Sequence, residues 1–173
     1  DGYDDLEDGC MLIAGNSTLD RLGCIDTDGD GYSDGDAQWT LVNGSDAFPN
    51  EATQHADQDG DGFGDNPAGF EGDDCLATPG TSFRDFFGCD DEDADGMSDS
   101  NDAFLAEATQ WNDTDSDGYG DELNGTQGDA CPEDAGTSTN DVFGCVDSDG
   151  DGYSDLNDLW PDDSSQWLSL IHI

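Results

Sequence analysis

The sequence predicts an irregular fold with little regular secondary structure, a linear array of short loops tied down by local disulfides. Three observations predict it. The segment Asp26-Thr27-Asp28-Gly29-Asp30-Gly31-Tyr32-Ser33-Asp34 returns almost unchanged at Asp147-Ser148-Asp149-Gly150-Asp151-Gly152-Tyr153-Ser154-Asp155, with three variants between them. Six cysteines fall into three pairs of one spacing. Finally, 45 acidic residues against 2 basic ones leave a formal net charge of −43 on 173 residues, of which only 32% are hydrophobic. So little apolar material cannot build a large core, and staples must replace it.

The acidic loops come first. Five complete copies begin at Asp26, Asp57, Asp91, Asp113 and Asp147, each with Asp at positions 1, 3, 5 and 9 and Gly at position 6. Carboxylates on alternate residues of a tight loop point at one centre, and position 7 turns its backbone carbonyl to the same centre. Those carbonyls belong to Tyr32, Phe63, Met97, Tyr119 and Tyr153. This is the ligand plan for a hard cation, and calcium is the ion expected. The glycines stand where the chain must reverse sharply. Asp102 and Asp158 occupy position 12 of their loops, and Asp46 takes that role in the first copy, after an insertion of Gly35 to Ser45. Ala68 and Asn124 stand at position 12 of the other two, which leaves Glu71, Asp73 or Asp129 to complete them.

An acidic, apolar-poor, Gly-rich composition ordinarily predicts disorder, and an acidic run is ordinarily a solvated tail. Fixed Asp periods, paired cysteines and the tryptophans Trp39, Trp111, Trp160 and Trp167 argue against that here. The charge excludes nucleic acid and an anionic membrane as direct partners. Metal binding is expected to supply folding energy.

The cysteines are the second staple. Cys10 and Cys24, Cys75 and Cys89, and Cys131 and Cys145 keep one spacing, while the stretches between pairs differ in length. Of the 15 connectivities that six cysteines allow, this favours the local one, because an insertion between pairs leaves a local loop undisturbed. Disulfides imply an oxidising, extracellular compartment, so the chain is expected to be secreted or on a cell surface. Zinc is the alternative, but no Cys-x-x-Cys pair is present and His55 and His172 are the only imidazoles. Inside the cysteine loops, Ser17-x-x-Asp20, Ser82-x-x-Asp85 and Ser138-x-x-Asp141 predict capped helical turns. No histidine stands beside these serines to activate a hydroxyl, and the chain is not expected to be an enzyme.

Cysteine to cysteine, the unit is one disulfide loop and two calcium loops, recurring every 56 to 65 residues. The expected organisation is the end of a truncated loop repeat at 1–9, repeat units at 10–74 and 75–130, and a partial unit at 131–167. The run 168–173 resembles nothing before it. Its residues are those encoded by a transposase adapter used in sequencing libraries, so a non-native tail is expected there. The segment Trp39-Thr40-Leu41-Val42 before Asn43-Gly44 reads as a short hairpin arm, a local packing flap or a partner contact. Gln54-His55, Gln110-Trp111 and Gln166-Trp167 are equivalent, so His55 is expected to pack as an aromatic. Phe48, Phe104 and Trp160 are expected to plug the space between successive loops.

The Asp-x-Asp-x-Asp-Gly-x-x-Asp-x-x-Asp plan with interspersed cysteines resembles thrombospondin type 3 repeats over nearly the whole chain through Trp167. The paired cysteines and the Gly-x-Ser-x-x-Asp insert are most similar to the prokaryotic surface-protein type, so animal receptor partners do not carry over. The resemblance implies an extended, calcium-replete array in adhesive proteins. By position it implies as ligands Asp26, Asp28, Asp30 and Asp34; Asp57, Asp59, Asp61 and Asp65; and Asp91, Asp93, Asp95, Asp99 and Asp102. It continues with Asp113, Asp115, Asp117 and Asp121, then Asp147, Asp149, Asp151, Asp155 and Asp158. The expected function is a structural spacer or adhesive stalk, with extracellular proteins or glycans as partners and no membrane insertion. Rival readings are a dockerin-like module, a partner-binding module using residues 35–45, and a metal-ion store. An EF-hand or dockerin needs a helix after each loop, which Phe48-Pro49 and Trp160-Pro161 disfavour.

Overall fold

A computed structural model describes residues 2–4 and 6–168; most of the suspected tail lies outside them. The fold is irregular, as expected. Among the described residues the one helix is a single 3-10 turn at Leu41–Asn43, and strand pairing is limited to the isolated parallel bridges Gly64↔Gly72 and Asp129↔Phe143. The reason is local: aspartates take the backbone donors that a ladder would need. Within the first loop, Asp28 accepts the N–H of Asp30 at 3.2 Å and Asp30 that of Tyr32 at 2.8 Å.

The chain divides into two compact units, Asp1–Asp90 and Asp91–Ile173. The first contains two disulfide hairpins and the loops at Asp26 and Asp57. The second contains the loops at Asp91, Asp113 and Asp147 and the third hairpin. The boundary falls just after Cys89, inside the second repeat unit read from the sequence.

All three disulfides are local: Cys10–Cys24, Cys75–Cys89 and Cys131–Cys145, each with a sequence separation of 14. The Ser-x-x-Asp segments are not helical turns. Each serine is instead a buried hub: the hydroxyls of Ser17, Ser82 and Ser138 accept the N–H of Cys24, Cys89 and Cys145, each at 3.0 Å. Ser17 also donates to the Arg21 carbonyl. The helical reading failed because a hydroxyl that bonds across a hairpin has no helix start to cap.

The interior is polar. Among the described residues the buried hydrophobic side chains are Cys24, Cys89 and Cys145, and the other buried ones are Ser, Asp and Gln. Large apolar side chains lie outside, with Leu6, Leu12 and Val42 95–97% exposed. Hydrophobic burial therefore contributes little, and the fold depends on crosslinks and on whatever balances its carboxylates.

The insertion is a flap rather than a hairpin arm. Asp36 accepts the N–H groups of Gln38 and Trp39 at 2.7 Å, and the chain turns through Leu41–Asn43 to a left-handed Gly44. Arg21 fastens it to the first hairpin, bonding Asp36 at 2.7 Å and lying 5.3 Å from the centre of the Trp39 ring. That guanidinium holds the Asp36 carboxyl down at about 2. The two strands of a hairpin never form because Asp36 captures the donors one strand would use.

Aromatic stacking follows the repeat. His55 lies flat on Tyr32 at 3.8 Å, as Trp167 does on Tyr153 at 5.0 Å, so the histidine packs as an aromatic. Phe48 and Phe104 are half-buried, and Trp160 is 36% exposed.

Candidate metal centres

Each loop brings its first three acids together. Carboxylate oxygens of Asp26, Asp28 and Asp30 lie within 4.8 Å of one another, as do those of Asp57, Asp59 and Asp61; Asp91, Asp93 and Asp95; Asp113, Asp115 and Asp117; and Asp147, Asp149 and Asp151. Each of these five groups can hold a metal ion. The position-6 glycines that allow the reversal, Gly31, Gly62, Gly96, Gly118 and Gly152, have φ between 95° and 105°, which a Cβ would strain.

Position 1 is committed to shaping the loop: Asp26 accepts Gly29 N–H at 2.7 Å and Gly31 N–H at 3.0 Å, and Asp147 repeats the pattern with Gly150 and Gly152. Position 9 is held by position 2. The two oxygens of Asp34 take the N–H and hydroxyl of Thr27, those of Asp121 take Thr114, and those of Asp155 take Ser148, at 2.5–3.0 Å. Asp65 and Asp99 likewise accept the N–H of Gln58 and Glu92. This bond was not legible in the repeat, because its donor sits at the variable second position.

Other carboxylates keep a buried oxygen that no hydrogen-bond donor reaches. At position 3 of every loop, in Asp28, Asp59, Asp93, Asp115 and Asp149, at least one buried oxygen lacks a partner. The same holds for Asp46, Asp73 and Asp129, which are only 2–3% exposed. Burying an ionised carboxylate without a donor or counter-charge costs several kcal/mol. A cation at the triad removes that penalty, and oxygens alone suit a hard one.

Electrostatics shows which acids face which triad. Burial, then the charges of Asp30, Asp28 and Asp34, push the Asp46 carboxyl up to about 6, against the downward pull of the Phe48 N–H. Burial first and Asp93, Asp95 and Asp99 next raise Asp102 in the same way. Asp46, Asp102 and Asp158 also share one seat, donating their N–H to the carbonyls of Ser33, Ser98 and Ser154 at 2.9–3.0 Å. Asp46 therefore stands where position 12 stands in the uninterrupted copies.

Position 8 divides the loops into two kinds, a division that the repeat carried but that sequence reasoning overlooked. At two of the serine loops the hairpin before the loop reaches forward: Asp20 accepts the hydroxyl and N–H of Ser33 at 2.6 and 2.9 Å, and Asp141 those of Ser154 at 2.6 and 3.0 Å. Burial raises both carboxyls, but these bonds outweigh it and hold them below their ordinary value. Where position 8 is glycine, at Gly64 and Gly120, a buried glutamine fills the space. A Cβ there would fall 2.2 Å from Gln54 Oε1 or 2.0 Å from Gln110 Oε1.

The raised carboxyl of Asp46 fixes a pH dependence. Its folded value of about 6 exceeds the ordinary 3.8, so its contribution to the metal-free fold is fully present below about 3.8 and lost as pH rises through 6. Chelator-treated protein is therefore expected to melt at a higher temperature at pH 5 than at pH 7, with Asp46→Asn flattening the difference. Cation affinity should run the other way, falling as protons compete below pH 6. Circular dichroism melts and titrations at both pH values check this, and a melting temperature that falls on acidification contradicts it.

Against known proteins, the chain matches no family model and no curated protein. The three disulfides point to an oxidising environment, and among the described residues no helix is long and apolar enough to cross a membrane.

Proposed function

We propose that this chain is a calcium-binding repeat segment of the thrombospondin type 3 kind, a structural spacer or adhesive stalk of a secreted or cell-surface protein. The observation that carries the reading is the buried, donorless carboxylate oxygen at position 3 of all five loops, each beside two more acids within 4.8 Å. Calcium fits because every side-chain ligand offered is a carboxylate and position 7 adds a carbonyl, while flexible loops of this kind tolerate its larger coordination number better than magnesium's strict octahedron. The role is structural because, among the described residues, the buried hydrophobic side chains are three cysteines, so ions and disulfides are what hold the loops. The flap at residues 35–45 is fastened to its own hairpin by Arg21, which favours a packing role over a partner contact.

Isothermal titration of the chelator-stripped, oxidised chain with calcium tests this. At least five ions are expected to bind, with magnesium at least ten-fold weaker. Uptake of one ion or none would overturn the reading.

A further inference from the structure

We infer that the loops at Asp57 and Asp113 close on acids outside the twelve-residue plan, Asp73 and Asp129, so that each ion fastens its loop to the disulfide hairpin that follows. The inference rests on the cation-binding reading above and adds which residues complete these two centres and what they join.

Position 12 cannot serve, because it holds Ala68 or Asn124, both exposed. Glu71 is exposed and has a left-handed backbone, with φ 47°. Asp73 and Asp129 are each 2% exposed, with Oδ2 buried and donorless. The other oxygen accepts the N–H of the adjacent cysteine, Cys75 at 2.6 Å or Cys131 at 2.7 Å, which fixes the carboxylate at the start of the hairpin. Their backbone N–H groups reach back to position 8, Asp73 to the Gly64 carbonyl at 2.8 Å and Asp129 to that of Gly120 at 2.7 Å. Both residues are therefore anchored to their own loops, three positions past the last acid of the triad. A Cβ at Gly88 would meet Asp73 Oδ1 at 2.4 Å and the triad oxygen Asp61 Oδ2 at 3.0 Å, so the two carboxylates border one space.

The glutamines explain how so distant an acid arrives. Gln54 and Gln110, each 1% exposed, donate to the carbonyls of Asn66 and Phe70, or of Glu122 and Thr126, at 2.9 and 3.1 Å. Their side-chain oxygens accept the N–H of Asn66 or Glu122 at 2.9–3.0 Å. The chain after position 9 is thus coiled around an amide, and it emerges directed back at the triad. The hairpin grips from its other side as well: Gly80 N–H donates to Asp61 at 2.9 Å and Gly136 N–H to Asp117 at 2.8 Å.

The test is calcium titration of the oxidised full chain carrying Asp73→Asn with Asp129→Asn, beside a charge-matched control carrying Glu71→Gln with Glu133→Gln. The first variant is expected to bind at two centres at least ten-fold more weakly while retaining the others, and the control to match the wild type. Unchanged binding in the first variant would overturn the inference and leave the calcium reading intact. A wild type that binds no calcium would overturn both. Because the double variant could lose its fold altogether, the wild type crystallised with terbium provides a second measurement. Anomalous peaks at ligand distance, about 2.3–2.6 Å, from Asp73 and Asp129 support the inference. Peaks at both triads but remote from these acids would refute it.

Discussion

Removing cations from the oxidised chain is expected to expand it, with the radius of gyration rising toward the roughly 44 Å of an unfolded chain of 173 residues, less what three local disulfides retain. Magnitudes make this a large effect. At a dissociation constant of about 0.1 mM and about 10 mM calcium, each ion stabilises the fold by roughly 2.7 kcal/mol. Five independent centres then contribute roughly 13 kcal/mol, as much as the whole stability of an ordinary domain. Hydrophobic burial does not replace that sum, since among the described residues the buried hydrophobic ones are cysteines, and the acids repel one another at a net charge of −43. Small-angle scattering before and after chelation, with calcium added back, measures it. A radius indifferent to calcium would mean that the disulfides and the polar hydrogen-bond network hold the chain by themselves.

How much of this was legible in the sequence depended on whether the cause was local. The triads were, because alternation within a tight loop puts positions 1, 3 and 5 on one centre regardless of what lies beyond. Local disulfides were too, since equal spacing survives insertions only in a closed loop. The stacking of His55 is legible because its repeat mates are tryptophans. The failures were questions of orientation. Ser17 and Asp20 have the spacing of a helix cap, yet the serine turns inward to Cys24 and the aspartate outward to Ser33, thirteen residues on. Gln54 was overlooked beside its aromatic neighbour, although its amide is what turns residues 66–70. The alternation of Ser and Gly at position 8 was the available signal for both, and reading it required knowing that one loop kind bonds backward and the other makes room for a side chain.

Breaking the Cys131–Cys145 crosslink, by Cys131→Ala with Cys145→Ala, is expected to cost about 3 kcal/mol from loop closure alone and to weaken cation binding at two loops, not one. The hairpin holds both neighbours. Behind it, Cys131 N–H orients Asp129 and Gly136 N–H binds Asp117, an acid of the Asp113 triad. Ahead of it, Thr139 and Asn140 donate to the Gly152 carbonyl at 2.8 Å, and Asp141 secures Ser154. If the energy lost is shared by the two centres, each loses about 1.4 kcal/mol or more, a factor of roughly ten in affinity. The loops at Asp26 and Asp57, in the other compact unit, should keep theirs. Calcium titration counts the affected centres, and tryptophan fluorescence follows Trp167, which stacks on Tyr153 of the Asp147 loop. Loss at one loop alone would show that the hairpin serves a single neighbour. Loss at both makes the disulfide a shared clamp, so that oxidation must precede full cation loading and a chain still reduced would carry incomplete loops wherever calcium is plentiful.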